Sequence, residues 1–363
     1  DSGFQSFYVF INIGGVIAPF VAPLLRVWWL KIHNFLYNAD MPALCHQYLA
    51  DGTVTTKFSE TMANSVIDPS AATDLTQFCS DYIGVYNQGI HFAFIASMIA
   101  MMISLVVFIS QKKKFPQPGK KHAIEVAGYT PEEKAAMAKE IKQRMAALFA
   151  VLGIAVFFWL SFHQNGQSLM LFARDFVNSE WLAPEITQSL NPLFVIILTP
   201  IVMGIFAALV RKGKGVSTPR KIALGMFIAG VAYLFLMSLS LLNGYPSGNE
   251  FRAMDSATMA AAGLQKQGYW VMFVVYFFLT VAELFISPLG LSFVSKVAPR
   301  HLQGLCQGLW LAATAIGNLF IFVGPLMYNA WPIWVCWTVF FSICIVSMSI
   351  MLGMVKWLER VTA

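Results

Sequence analysis

The stretch "YWVMFVVYFFLTVAELFISPLG", residues 269–290, decides how this chain is read. It is long and apolar enough to cross a bilayer, which takes roughly 20 such residues as a helix. Yet Glu283 sits inside it, with apolar residues on both sides. A charge at the centre of a bilayer costs about 2.5–3.5 kcal/mol on insertion scales, so an acid there faces a cavity, a partner or a relay.

The rest of the chain has the same character. Its 363 residues are 58% hydrophobic and 12% charged, about half the charged share of a soluble domain. Eight apolar runs lie near 7–26, 88–110, 146–172, 190–210, 221–242, 268–293, 303–328 and 332–355. Each has the length of a spanning helix, and no 10-residue alternation points to a barrel. The expectation is an all-α polytopic membrane protein.

The net charge of +6 is a matter of topology. Segment 111–145 holds nine Lys/Arg and 211–221 holds five; Lys296, Arg300, Lys356 and Arg360 complete a set of 18 on alternate loops. The opposite side has six: Arg26, Lys31, Lys57, Arg174, Arg252 and Lys266. The positive-inside rule then places segment 111–145 and the C-terminus in the cytoplasm and loop 27–87 outside. No nucleic-acid footprint is implied, and nothing requires a second copy of the chain.

Between the first two runs, the amphipathic and aromatic segment 26–49 is expected along the membrane surface. The polar residues after it suggest a small ordered cap. His33, His46 and Cys45 are too loosely spaced for a metal site. Cys45 and Cys79 share this outer loop, where an oxidising exterior would permit a disulfide. Segment 111–145 suggests a cytoplasmic linker helix, with Thr130 as cap, Pro131 in the first turn and acids preceding bases. The organisation is thus 1–110 with its insertion 27–87, the basic linker 111–145, and 146–363.

Polar and aromatic residues interrupt five of the runs. These include Tyr8 and Asn12; Trp159, His163 and Gly166, spaced for one helical face; Asn191; Glu283 with Ser287 at i, i+4; and Gln307, Trp310 and Asn318. Ser, Asn and Gln can act as glue between helices, and the tryptophans can be either packing or pocket wall. Glu283 is expected to be functional, because glue needs no full charge. Polar residues on several helices with Pro and Gly nearby suit a wet central cavity. No Walker A loop, HExxH or GxSxG is present, and no cofactor or metal is expected. An intramembrane enzyme would have to rely on Ser287 or His163.

At these residues the chain resembles the proton-dependent oligopeptide transporter family (POT/PTR) of the major facilitator superfamily. "GFQSFYVFINIGG" (3–15) is similar to its F-Y-x-x-I-N-x-G signature. "FWLSFHQNGQSLMLFA" (158–173) is similar to its seventh-helix motif, W-x-x-x-acid-Q-x-G in many members. "LNPLFVIILTPIV" (190–202) resembles its eighth helix, and "AELFISPLGLSFVSKVAPRHLQGLCQGLWLAATAIGN" (282–318) its tenth and eleventh.

The resemblance implies a major facilitator fold in which the eight runs are helices five to twelve of twelve, residues 146–363 forming the C-terminal six-helix bundle. It implies a non-enzymatic symporter of protons with di- and tripeptides in a plasma (bacterial inner) membrane; another solute, such as nitrate or a drug, is the alternative. Carried over by motif position, Asn12 would hydrogen-bond the peptide. Asn191 and Glu283 would receive its α-amino group, Trp159 and Trp310 would wall side-chain pockets, and Tyr8 is a further pocket candidate. His163 stands where many members have an acid, so proton coupling is expected of His163, Glu283 or the family's first-helix acids.

Overall fold

In hydrocarbon every backbone N–H and C=O must be satisfied within the chain, so apolar runs become helices. A computed structural model of the chain describes residues 2–68, 73–114, 131–178, 184–299 and 302–362, and the side chains of 8–68, 73–114, 138–178, 185–255, 257–299 and 302–361. Among the described residues the regular structure is helical, with isolated bridges at Phe35–Val66 and Val177–Gln267. Eight helical stretches have the length and hydropathy of spans, in the order the sequence predicts. The chain divides into two units, Asp1–Val16 with Gln117–Ala363, and Ile17–Pro116.

The second unit comprises the later part of α1 (Ser2–Ile32), α2 (Met41–Asp51), α3 (Thr56–Ala63) and α4 (Leu75–Gln111). Residues 27–32, expected along the membrane surface, instead continue α1, and α4 begins well before residue 88. The inserted cap is therefore shorter than 27–87. Its buried centre includes Leu30, Met41, Phe58, Phe78 and Tyr82. Thr55 caps α3 by accepting from the Phe58 N–H at 3.1 Å, and Asp74 caps α4 by accepting from Thr76 and Gln77. The Arg26 guanidinium lies 4.1 Å from the centre of the Tyr37 ring and 5.5 Å from that of Tyr86, tying α1 to the cap. Cys45 and Cys79 are buried free thiols, not a disulfide. They are nonetheless neighbours, and burial pushes the Cys45 thiol up.

In the first unit, α5 (Pro131–Phe162) opens at the proline the sequence assigns to a first turn. The described end of segment 111–145 is thus the start of α5, continuous with the span, and not a linker helix of its own. Thr130, the expected cap, lies outside the described residues. There follow α6 (Ser168–Phe176), α7 (Leu190–Arg211), α8 (Thr218–Leu242), α9 (Gly248–Ala253) and α10 (Ser256–Ala261). The unit closes with α11 (Trp270–Leu284), α12 (Ser287–Val297), α13 (Gln303–Leu319), α14 (Val323–Ala330) and α15 (Ile333–Thr362). α15 packs on α8 and α5, α11 on α8 and α7, and α13 on α5. Phe158, Phe172, Tyr233, Tyr276, Trp337 and Phe340 fill the centre.

Three spans are broken. α5 gives way to α6 through a 3₁₀ turn at His163–Gly166, α11 to α12 at 285–286, and α13 to α14 at 320–322. Trp159, His163 and Gly166 are thus not on one continuous helical face. Glu283 and Ser287 likewise flank a break, with Pro288 in the first turn of α12.

Candidate functional site

The break after α11 leaves Glu283 near the end of one helix, 7% exposed. The Tyr8 hydroxyl, from α1, donates to Oε1. Asn191 Nδ2, at the start of α7, donates to Oε2 at 2.8 Å and lies 3.1 Å from Thr280 Oγ1. Ser287 stands beside the Tyr8 hydroxyl. Residues 275 and 92 positions away from Glu283 thus converge on one carboxylate. Among the described residues the ion pairs found lie elsewhere, so neutral donors solvate this acid.

Close contact sets the position of α1. A Cβ on Gly15 would stand 3.1 Å from Pro192 Cβ, and Ser189 Oγ donates to Val16 O at 3.1 Å. Asn12 is buried one turn beyond Tyr8, and its amide donates to Tyr8 O at 2.8 Å. It joins the cluster through the helix that carries Tyr8, not through Glu283.

Trp159 and His163 stack, with ring centres 5.0 Å apart and planes 17° from parallel. The Asn318 side chain approaches the imidazole. Among the described residues Trp159 Nε1 and His163 Nδ1 are buried polar atoms without a hydrogen-bond partner, the kind of atom that a water or polar ligand satisfies. Trp310 packs elsewhere, the outer edge of its indole against Gly290, where a Cβ would come within 2.0 Å of Cη2. Tyr8 borders a cavity of about 220 Å³ together with Leu284 and Pro288; neither tryptophan lines it.

Two further groups escape the sequence reading. Gln164 is fully buried in the first break and donates from Nε2 to Ile321 O, in the third, at 3.1 Å. It also accepts from Ser168 Oγ at 2.8 Å. Gly324 makes room for this amide, since a Cβ there would lie 1.9 Å from Gln164 Oε1. At the far end of the helices, buried Asp175 of α6 accepts from Arg252 at 2.9 Å, Arg174 at 2.8 Å and the Tyr328 hydroxyl at 3.1 Å. Arg252 continues to Asn329 at 2.6 Å. Gln164 lay inside the quoted motif, whose signal was its match to the family pattern. Asp175 had only its position three residues after an apolar run.

A family model described as "PTR2: POT family" matches residues 119–331, more than half of the chain. "Peptide transporter YePEPT" of Yersinia enterocolitica is 26% identical over 88% of this chain and 60% of its own length. "Dipeptide and tripeptide permease B" of Shigella dysenteriae is 27% identical over 100% of this chain and 70% of its own length. The chain spans about three fifths of the length of the Yersinia protein. The in meso crystal structure of the POT family transporter PepTSo superposes with a TM-score of 0.55 at 15% identity, covering 98% of this chain and 89% of that one. The peptide transporter POT in complex with sulfate gives 0.55 at 17% identity, over 98% and 87%. At these identities the structural likeness is one of fold, that of the POT transporters.

Proposed function

The chain belongs to the POT family, and we propose that it forms part of a proton-coupled symporter that imports di- and tripeptides by alternating access. Glu283 supports this reading most directly. Its two oxygens engage a phenol and an amide, one on each, and an arriving ammonium supplies the positive charge that those donors lack. Charge-assisted hydrogen bonds are the stronger kind, and low local dielectric strengthens them further. A peptide α-amino group displacing the Tyr8 hydroxyl or adding beside it would be held by Glu283 and Asn191.

In the same reading Asn12 meets the peptide backbone when α1 moves with the substrate, and Trp159 and Trp310 bound the space for its side chains. His163 and Glu283 carry the proton. An imidazole in contact with Trp159 and Asn318, at the break between α5 and α6, couples protonation to the angle between those helices. The membrane is the plasma (bacterial inner) membrane, with the basic loops on the cytoplasmic side.

Uptake of a labelled dipeptide under an imposed pH gradient, into proteoliposomes that hold the whole transporter of which this chain forms part, tests the assignment. Accumulation that collapses with the gradient is expected. His163→Gln should keep peptide exchange at equal pH but lose uphill accumulation. Labelled nitrate or a drug accumulating in place of the peptide would transfer the chain to another solute. No solute movement at all would leave a receptor.

A further inference from the structure

The cavity that Tyr8 borders has a second chemical end. Lys221, in the first turn of α8, and Lys296, in the last turn of α12, both line it. Both belong to the basic-loop set. The neighbouring cation, Arg220, is engaged with Glu359 at 3.0 Å. Lys221 instead turns inward, its ammonium 4.1 Å from the centre of the Phe206 ring. Among the described residues no Asp or Glu lines the cavity, and neither lysine has an ion-pair partner.

Two ammonium groups at one mouth repel each other, and an anion between them reverses the sign of the interaction. The rest of the wall has the opposite chemistry. Val202, Met203, Leu284 and Leu289 are apolar, and Met203 is 39% exposed. α7 also turns Ile197, Ile201 and Ile205 outward, so the apolar wall continues onto the helix's outer surface. A free anion would use only the lysines; a ligand that uses the whole cavity has an anionic head and a hydrocarbon tail.

We propose that this cavity binds the phosphate group of an anionic phospholipid from the leaflet that the basic loops face. The phosphate sits between Lys221 and Lys296, with Thr218 and Ser292 as further polar lining. The acyl part follows Val202, Met203 and Leu289 out along α7. Basic pockets between spanning helices on the cytoplasmic side are a recurrent way of holding lipid head groups. Because Tyr8 borders the same cavity, an occupied site would stand next to the hydroxyl that donates to Glu283.

The purified chain in neutral detergent, offered equimolar dioleoylphosphatidylglycerol and dioleoylphosphatidylcholine, tests this by native mass spectrometry. The native chain should retain phosphatidylglycerol preferentially. The preference should fall roughly tenfold in Lys221→Gln/Lys296→Gln, which keeps side-chain bulk and removes both charges. Each single variant should fall part of the way, which decides the matter if the double variant loses its helical circular dichroism. Lys356→Gln, another exposed lysine of the basic set, should change nothing. Equal retention of the two lipids overturns the proposal, as does a preference that survives the lysine substitutions. An equal loss with Lys356→Gln would reduce it to diffuse surface charge. Displacement of the lipid by excess inorganic phosphate would make it a site for free anions instead.

Discussion

Tyr8 and Asn191 give Glu283 one hydrogen bond per oxygen, and neither brings a positive charge. Replacing the acid by Gln keeps its size and removes what an ammonium would recognise. Glu283→Gln should weaken a dipeptide by roughly ten- to a hundredfold, the range of a hydrogen bond to a charged group at about 1.5–3 kcal/mol. A des-amino analogue should bind the native protein poorly and lose little more on substitution. Calorimetric titration of both ligands against both proteins isolates the coupling; equal losses would mean that the carboxylate does not sense the amine. These residues were legible because a polar group inside an apolar run stands out without any knowledge of its neighbours. Gln164 was not. Its main partner is the Ile321 carbonyl, freed by a break in a distant helix, and a backbone acceptor leaves no mark in a sequence.

At the scale of elements, hydropathy marks the eight spans but not their interruptions. The break at His163–Gly166 takes hydrogen-bond partners from Tyr276 and Ile321, 111 and 157 positions away. The first and third breaks are joined by Gln164, with Gly324 closing over it. Gly324→Ala should force the amide aside and lower the thermal midpoint in detergent, at about 1–3 kcal/mol for an overpacked site. Combined with Gln164→Ala, which removes the obstructing side chain, the glycine substitution should cost much less than it does alone. Additive losses would show that the two do not meet.

The short helices α9 and α10 carry a different dependence. Glu250 is held below the usual carboxylate range by the Ser247 N–H, with which it forms a capping box. Hydrogen bonds from Thr258 hold Asp255 low as well. A lowered folded pKa means stability that is complete above the ordinary carboxyl value and is lost as pH falls through the lowered one. Amide protection across 247–261, taken relative to the intrinsic exchange rate at each pH, should therefore fall on acidification before that of α8 does. Unchanged protection under acid conditions would show that the caps contribute nothing.

For the molecule as a whole, the composition made the membrane class plain, whereas the cap between α1 and α4 was legible only as an insertion of uncertain extent. Its edges depend on how far two spanning helices continue beyond the membrane, which hydropathy does not register once polar residues appear. Within it, Cys45 and Cys79 are buried neighbours held as thiols. A mild two-electron oxidant such as a diamide should join them, removing two hydrogens and closing a loop whose cross-link is worth about 3–4 kcal/mol. Intact mass and alkylation after unfolding report the outcome, and five alkylated cysteines after oxidation would exclude the bond. The helix that carries Cys79 has one more consequence. At 37 residues α4 is about 55 Å long, well beyond a hydrocarbon core of roughly 30 Å, and its first turns are built into the cap. A membrane protein with little mass outside the bilayer is hard to orient in an electron-microscope image. Here a rigid rod ends in a folded knob, so an antibody fragment raised against the cap would serve as a fiducial, and its angle to the detergent belt would report the tilt of α4 from particle to particle.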